Sequence, residues 1–374
     1  MKENQISIIG GGLAGLTAAI HLSKIGYSVT LIEKNSFPKH KVCGEYISNE
    51  VKPYLEYLGL NISDLKPTQI TKLEFSTQNG TTIKSNLPLG GFGISRFALD
   101  ELLYKKAISN GCEILQETVE NISFEEDIFT IKTSNNTVLK SKIVVGAFGK
   151  RSNIDQNLSR KFIKKKAPWL AVKAHYSGIF PDDLVGLHNF EGGYCGISKV
   201  ENNIINVCYL ADYETFKRNK NIDEYQNQVL HLNPILKNFL ENATLLFEKP
   251  LTISQISFEK KCAIENHILM IGDTAGLIHP LCGNGMAMAI HSAKIVSELI
   301  DKFYKKEIKT RLELENNYQK LWNLNFKNRL KIGRLLSQLF QKPKLSGLLI
   351  RMFTMFPFLL PILIKKTHGK TLTF

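Results

Sequence analysis

The spacing of apolar residues along the chain changes several times, and each change predicts an element. Ile6, Ile8 and Ile9 form a short apolar run of the kind found in a strand buried on both faces. Apolar positions at helical spacing follow over 13–24, Gly26 ends that stretch, and 28–32 is a second strand-like run. A helix is expected over 49–58, with Leu55 and Leu58 inward and Gly59 as its stop. Alternation takes over at 70–88, where Leu73, Phe75 and Ile83 flank Asn79-Gly80, a dipeptide suited to a tight hairpin turn. Gly90–Gly93 leads into Ile94-Ser95-Arg96 and a helix over 97–109, capped by Gly111. Strands are predicted at 113–115, 119–124, 128–132 and 138–145, with Asn135-Asn136 as a turn.

Between 160 and 257 alternating segments predominate. Strands predicted at 171–180, 186–190, 194–200 and 204–210 make a second, β-rich region, with a hairpin turn at Glu201-Asn202-Asn203. Helices over 222–230 and 234–242 lie on it. A strand at 267–271 is then expected to deliver Gly272-Asp273 to the head of a helix, and a further helix runs from 287 to 300. Residues 310–341 read as helical and 345–364 as strongly apolar. The sequence shows no internal repeat and no low-complexity tract.

Composition narrows the class. A chain of 374 residues holds two or three domains' worth of core, and 43% hydrophobic with 22% charged residues suits a soluble or peripheral protein. The cysteines at 43, 112, 195, 208, 262 and 282 form no C-x-x-C pair, so reduced thiols of a cytoplasmic protein are expected, without a disulfide framework or zinc site. The polar start, Met1–Gln5, reads as no signal peptide. The net charge of +14 is concentrated late: residues 301–374 hold sixteen Lys/Arg against four Asp/Glu. That charge is interleaved with Leu, Ile, Phe and Met. It therefore points away from nucleic acid and towards an anionic membrane surface, with the protein peripheral at the inner face.

Two glycine motifs carry the candidate chemistry. Gly10, Gly12 and Gly15 stand at G-x-G-x-x-G spacing between the first strand and the first helix. The first permits a tight turn, the second lets the backbone approach a pyrophosphate, and the third allows close helix–sheet packing. The helix start offers free N–H groups to phosphates. Glu33, at the end of the second strand, lies where a carboxylate accepts hydrogen bonds from a ribose diol. The second motif is Gly272-Asp273-Thr274-Ala275-Gly276, continuing through His279-Pro280 to Gly283-Asn284-Gly285-Met286. Asp273 suits a sugar-alcohol hydroxyl, and the later glycines leave bare N–H groups before a helix.

This pair of motifs resembles the FAD-binding group that includes aromatic hydroxylases, flavin-dependent halogenases and geranylgeranyl reductases. The resemblance is good over the first 150 residues and over 258–300, and only outlined between them. It implies FAD as cofactor, held by Gly10, Gly12, Leu13, Ala14, Gly15, Glu33, Lys34, Val119, Gly272, Asp273, Gly283, Asn284, Gly285 and Met286. It also implies that Arg96 lies along the cofactor. The chain departs from the family at 146–152, where Phe148 replaces the acid of a G-A-D-G-x-x-S pattern tied to NADPH handling in hydroxylases. Lys41-Val42-Cys43-Gly44-Glu45 resembles the cysteine-glycine loop of geranylgeranyl reductases, which makes Cys43 and Glu45 the candidate proton donors. In the substrate-channel strand Y-x-W-x-F-P, Tyr194 fits, while Gly196, Ser198 and Lys199 replace Trp, Phe and Pro. The tryptophan pair and lysine motif of halogenases are not visible. His175, His188, His231 and His291 have no ligand spacing and read as ordinary hydrogen-bonded histidines, with no metal site.

The expected fold is α/β: a discontinuous Rossmann-like FAD-binding domain of glutathione-reductase type, an inserted β-rich substrate domain, and a C-terminal helical tail. The FAD-binding parts are 1–69, 94–157 and 258–300. The substrate parts are 70–93 and 158–257, and the basic, apolar tail is 301–374. The expected activity is an FAD-dependent reduction of an unsaturated apolar substrate of isoprenoid or lipid type. Electrons come from NAD(P)H or from a reductase or ferredoxin. A monooxygenase acting on an aromatic or polyketide-like lipid, and a non-catalytic lipid or prenyl carrier of the same fold, are the alternatives. The stretch 345–364 is nearly long enough to span a bilayer, but Arg351, Pro357 and Pro361 argue against it. It either caps the substrate channel or lies in the membrane interface, flanked by Lys342, Lys344, Lys365 and Lys366.

Overall fold

The computed structural model describes residues 2–219, 221–340 and 351–373. In chain order the first strands are β1 (Lys2–Ile9), β2 (Val29–Ile32), β3 (Tyr46–Ser48), β4 (Thr68–Ser76), β5 (Thr82–Gly93), β6 (Glu113–Leu115), β7 (Val119–Glu125), β8 (Ile128–Thr133) and β9 (Val138–Gly146). They are followed by β10 (Trp169–Ser177), β11 (Leu184–Phe190), β12 (Gly193–Lys199), β13 (Ile205–Asp212), β14 (Thr244–Leu245), β15 (Leu251–Ile256), β16 (Ile264–Glu265) and β17 (Ile268–Met270). The helices are α1 (Leu13–Lys24), α2 (Lys52–Tyr57), α3 (Arg96–Ser109), α4 (Asn153–Asn157), α5 (Tyr213–Lys217), α6 (Ile222–Gln228), α7 (Pro234–Asn242), α8 (Gly285–Tyr304), α9 (Arg311–Phe340) and α10 (Leu359–Thr367).

The strands form two sheets. The first has the order β16-β17-β9-β1-β2-β6, with β8 and β7 continuing antiparallel from β9. Its centre is parallel: β1 pairs with β2 and β9, and β9 with β17. The apolar run Ile6–Ile9 suits that place because both faces are covered. Helix α1 is buried almost all round, from Leu13 to Ser23, because it lies against α3 and α8 as well as the sheet. The fold is thus α/β with a Rossmann-like layer assembled from separated parts of the chain.

The second sheet has the order β14-β10-β13-β12-β11-β4-β5-β3, with β15 also on β10. It is antiparallel except for β11 beside β4. The turn between β4 and β5 contains Asn79-Gly80, with Gly80 at φ +80°. This sheet also takes β3 from within the 1–69 segment, because Ile47 pairs with Phe92.

Three local expectations change. The helix at 49–58 opens as a 3-10 turn over Asn49–Val51, capped by the Ser48 hydroxyl, before α2 begins. Gly272-Asp273 does not head a helix. Gly272 at φ +58° starts a 3-10 turn over Gly272–Thr274, and a further turn at Pro280–Cys282 ends on Gly283 at φ +62° before α8 begins. Of the apolar stretch 345–364, residues 345–350 lie outside the described residues. The part from 351 onward is helical over 351–355 and in α10.

The described tail packs inward. Phe353, Leu360 and Ile364 form a buried cluster with Leu73 of β4, against Ile83 and Val185. Beyond α10, the backbone of Leu372 donates to the carbonyl of Glu50, and Gly369 N–H donates to Glu50 Oε2 at 2.6 Å.

Candidate cofactor and active site

Strands β1, β9 and β17 run in parallel and end together, at Ile9, Gly146 and Met270. The loops leaving them, at 10–12, 147–152 and 271–273, open on one cavity of about 890 Å³. Parallel sheets place ligands at this end of their strands. Gly10 sits at φ +107°, and a Cβ there would meet the Ala147 carbonyl oxygen at 2.3 Å. At Gly15 a Cβ would meet the Gly10 carbonyl oxygen at 1.9 Å, so this glycine serves helix–sheet packing. Gly12 differs: nothing lies within 4 Å of its Cβ position, and it faces the cavity as the N-cap of α1.

Of the helices that start on the cavity, α1 and α8 are open there. Neither α1 nor α8 has a side-chain N-cap hydrogen bond or an acidic residue in its first turn. Their first N–H groups and positive dipole ends are therefore available to anions and carbonyl oxygens. Glu33 lines the same space, with Oε2 accepting from Gly11 N–H at 2.7 Å and Oε1 from the backbone and side chain of Asn35 at 2.9 and 2.6 Å.

The second glycine motif is stitched to the 147–160 loop. Gly149 N–H donates to Thr274 Oγ1 at 2.7 Å. Arg160, paired with Asp155, donates to the carbonyls of Thr274 and Cys262. Lys261 Nζ donates to the carbonyls of Lys150 and Asp273, both at 2.8 Å, and burial pulls its pKa down to about 8.

A buried charge cluster forms the next part of the wall. Glu45 is fully buried at φ +55°, a conformation that costs a non-glycine residue energy. Its Oε1 accepts from Lys173 Nζ at 2.5 Å and from Arg96 N–H at 2.7 Å, and its Oε2 pairs with His175 Nε2 at 2.7 Å. Burial alone would raise the Glu45 carboxyl. The His175 hydrogen bond and the Lys173 charge overcome this and hold it below its ordinary value. An ionised carboxylate with its oxygens occupied is unsuited to donate a proton. Arg96 likewise commits Nε and Nη2 to Asp100, each at 2.8 Å, and Lys41 reaches the same carboxylate at 2.8 Å.

Beyond this cluster the cavity becomes apolar. Leu73 and Phe75 of β4 lie beside Val185 and Leu187 of the paired strand β11, and Phe353 and Leu363 of the tail line the cavity with them. Gly196 and Ser198 of β12 line it where the family pattern has Trp and Phe, which leaves the arm open.

The cavity gathers Gly10, Gly12, Leu13, Ala14, Glu33, Lys34, Cys43, Glu45, Arg96, Tyr194, Gly272, Asp273, Gly283, Gly285 and Met286. Gly15, Val119 and Asn284 do not line it. Val119 is buried in the core of the first sheet. Asn284 is buried with Nδ2 on Glu50 Oε2 and the Thr367 carbonyl, so it holds the tail. Sequence reasoning missed Lys173 as a partner of the loop and gave His175 no special place. The signal was present: two polar residues at i and i+2 share one face of an otherwise apolar strand. Among the described residues no group of three or more His, Cys, Asp or Glu could hold a metal ion.

The family described as FAD binding domain matches residues 3–314. The chain belongs to this family. It is a flavin-dependent oxidoreductase and its cofactor is FAD. Two uncapped helix starts, the open space at Gly12 and the acid at Glu33 fit that group. Conditioned medium factor receptor 1 of Dictyostelium discoideum is 25% identical over 367 residues, which covers 86% of this chain and 68% of that one. Menaquinone reductase of Mycobacterium tuberculosis is 22% identical over 79% of this chain and 76% of its own. Among solved structures, the flavin-dependent brominase Bmp2 has the same fold, with a TM-score of 0.81 at 17% identity over 98% of this chain and 93% of that chain.

Proposed function

We propose that this FAD-binding-family member reduces a carbon–carbon double bond in an apolar substrate of isoprenoid or lipid type. The observation that carries the reading is the continuity of the cofactor cradle with an apolar arm closed by the C-terminal tail. The kinship with a protein named menaquinone reductase supports it. FAD, when bound and reduced, supplies a hydride.

The chain's own residues bind, orient and exclude water. Gly10, Gly12, Leu13 and Ala14 hold the pyrophosphate, Glu33 and Lys34 the adenosine ribose, and Asp273 the ribityl hydroxyls. Gly283, Gly285 and Met286 lie at the ring end. The substrate chain occupies the arm between β4, β11 and the tail, with Tyr194 on its wall. Of the two candidate acids, we take Cys43, which lines the cavity, as the donor of the proton that completes the reduction, with water then restoring the thiol. Glu45 instead fixes the Cys43-Gly44 loop through Lys173 and His175. An external donor, NAD(P)H or a reductase or ferredoxin, supplies the electrons. The setting is the cytoplasm, with the protein peripheral at the inner face of the membrane.

The test is anaerobic reduction of the FAD-loaded protein, followed by a panel of polyprenyl and quinone substrates read by mass spectrometry. The expected product gains two hydrogen atoms while the flavin spectrum returns to its oxidised form without oxygen. A product that appears only with oxygen and carries one of its atoms would establish a monooxygenase instead.

A further inference from the structure

The tail that closes the apolar arm has a second face. On α10 and the turn before it, Leu360, Ile364 and Thr367 point inward, while Phe358, Ile362, Lys365 and Lys366 share the opposite side of the helix. The outward apolar side chains are large and bare: Met355 is 71% exposed, Phe356 45%, Phe358 62% and Ile362 47%. Arg351, Lys365 and Lys366 are exposed at the two ends of this patch. The surrounding sequence is one-sided in charge, with eleven Lys/Arg and no Asp/Glu in residues 316–374.

We propose that the outward face of residues 351–366 docks on an anionic lipid bilayer. Charge complementarity selects the occupant. Basic side chains attract an anionic headgroup layer, and Phe, Ile and Met between them need an apolar layer directly beneath it. A nucleic acid or an acidic protein answers the charge but leaves the aromatic and aliphatic side chains in water. Arg351, Pro357 and Pro361 interrupt the apolar stretch 345–364, which suits a segment lying on the surface better than one that spans. The position of the patch adds a second argument, resting on the apolar-substrate reading. Phe353, Leu363 and Ile364, which line the arm, belong to the same short segment as the exposed patch. A bilayer bound there lies one helix thickness from the arm.

Flotation of the full-length, FAD-loaded protein tests the proposal, with vesicles of phosphatidylcholine alone and of phosphatidylcholine mixed with phosphatidylglycerol. Binding is expected only to the mixed vesicles, weakening as salt is raised. Each basic residue near an anionic surface is worth about fivefold in affinity. Lys365→Glu/Lys366→Glu is therefore expected to weaken binding by at least ~25-fold. Phe356→Ser/Phe358→Ser is expected to abolish flotation while leaving the flavin spectrum and melting temperature intact, since both side chains are exposed. In Phe358→Trp, vesicles with brominated acyl chains should quench the new emission. Equal flotation with both vesicle types, flotation with neither, or unchanged flotation of both multiple variants would overturn the proposal. So would capture of an acidic protein partner in the absence of flotation. Flotation needs no turnover, so a failure here is distinct from a failure to find reduced product.

Discussion

Lys173→Met probes the buried pair that fixes the loop beside the cavity. Lys173 and Glu45 are both fully buried, and the substitution leaves the carboxylate desolvated without its cation. Breaking such a pair costs about 3–5 kcal/mol. His175 and the Arg96 amide keep their bonds to Glu45, which places the expected loss near the lower bound, about 3 kcal/mol. With unfolding entropy scaling with chain length, this corresponds to a melting temperature lower by about 4 °C. Acid stability changes with it. Because Glu45 is held below its ordinary pKa, its contribution is complete above 4.5 and is lost as pH falls through the folded value. Removing Lys173 raises that folded value, so acid unfolding should begin at higher pH. Glu45→Gln/Lys173→Met removes both charges and should recover at least half of the loss. Circular dichroism and flavin fluorescence of the FAD-loaded proteins, followed against temperature and against pH, measure all three. A shift in Lys173→Met below about 1 °C would refute the reasoning. A double variant as unstable as the sum of its singles would refute it equally.

Other outcomes are as specific. Gly12→Ala should fold normally, since its Cβ meets nothing, yet bind FAD about 10- to 100-fold more weakly because the methyl group enters the phosphate space. Gly15→Ala should instead lose stability, because its Cβ would collide with the Gly10 carbonyl; cofactor titration and melting curves separate the two. For Lys261, folded near 8 and ordinarily near 10.5, the folded state holds fewer protons between these values. Stability relative to Lys261→Met should therefore rise with pH across that window, by up to ~1.4 kcal/mol per unit, as read from denaturant midpoints. Glu50→Gln weakens the bonds to Gly369 and Arg329, and tryptic cleavage at Lys365 and Lys366 should accelerate ~5- to 100-fold while the core survives.

The parts of the fold legible in the sequence are those set by local chemistry. Helix α1 and strand β6 stand where apolar spacing and glycine stops put them, while β1 ends with the apolar run at Ile9 but begins four residues before it, at Lys2. The turn at Gly10 was legible too, because a backbone at φ +107° pressed on the Ala147 carbonyl leaves room for no Cβ. What escaped was set by tertiary partners. Nothing local marks Asn284 as a clasp on the tail, since Glu50 and Thr367 are its neighbours only in the folded chain. The role of Glu45 was obscured similarly: its neighbours in sequence suggest an acid, while Lys173 and His175, more than a hundred positions away, make it an ionised strut.

The parallel pairing of β17 with β9 also sets an order in time. Residues 268–285, one wall of the cavity, are synthesised more than a hundred positions after β9, the strand they join. Until then the strand that begins at Lys2 has its near neighbours β2 and β9 but no finished site. Non-local pairing of this kind is slow and leaves apolar edges bare meanwhile. Residues 369 and 372, which reach back to Glu50, come later still. FAD therefore meets a nascent protein whose cavity wall at 268–285 arrives late and whose tail is fastened afterwards.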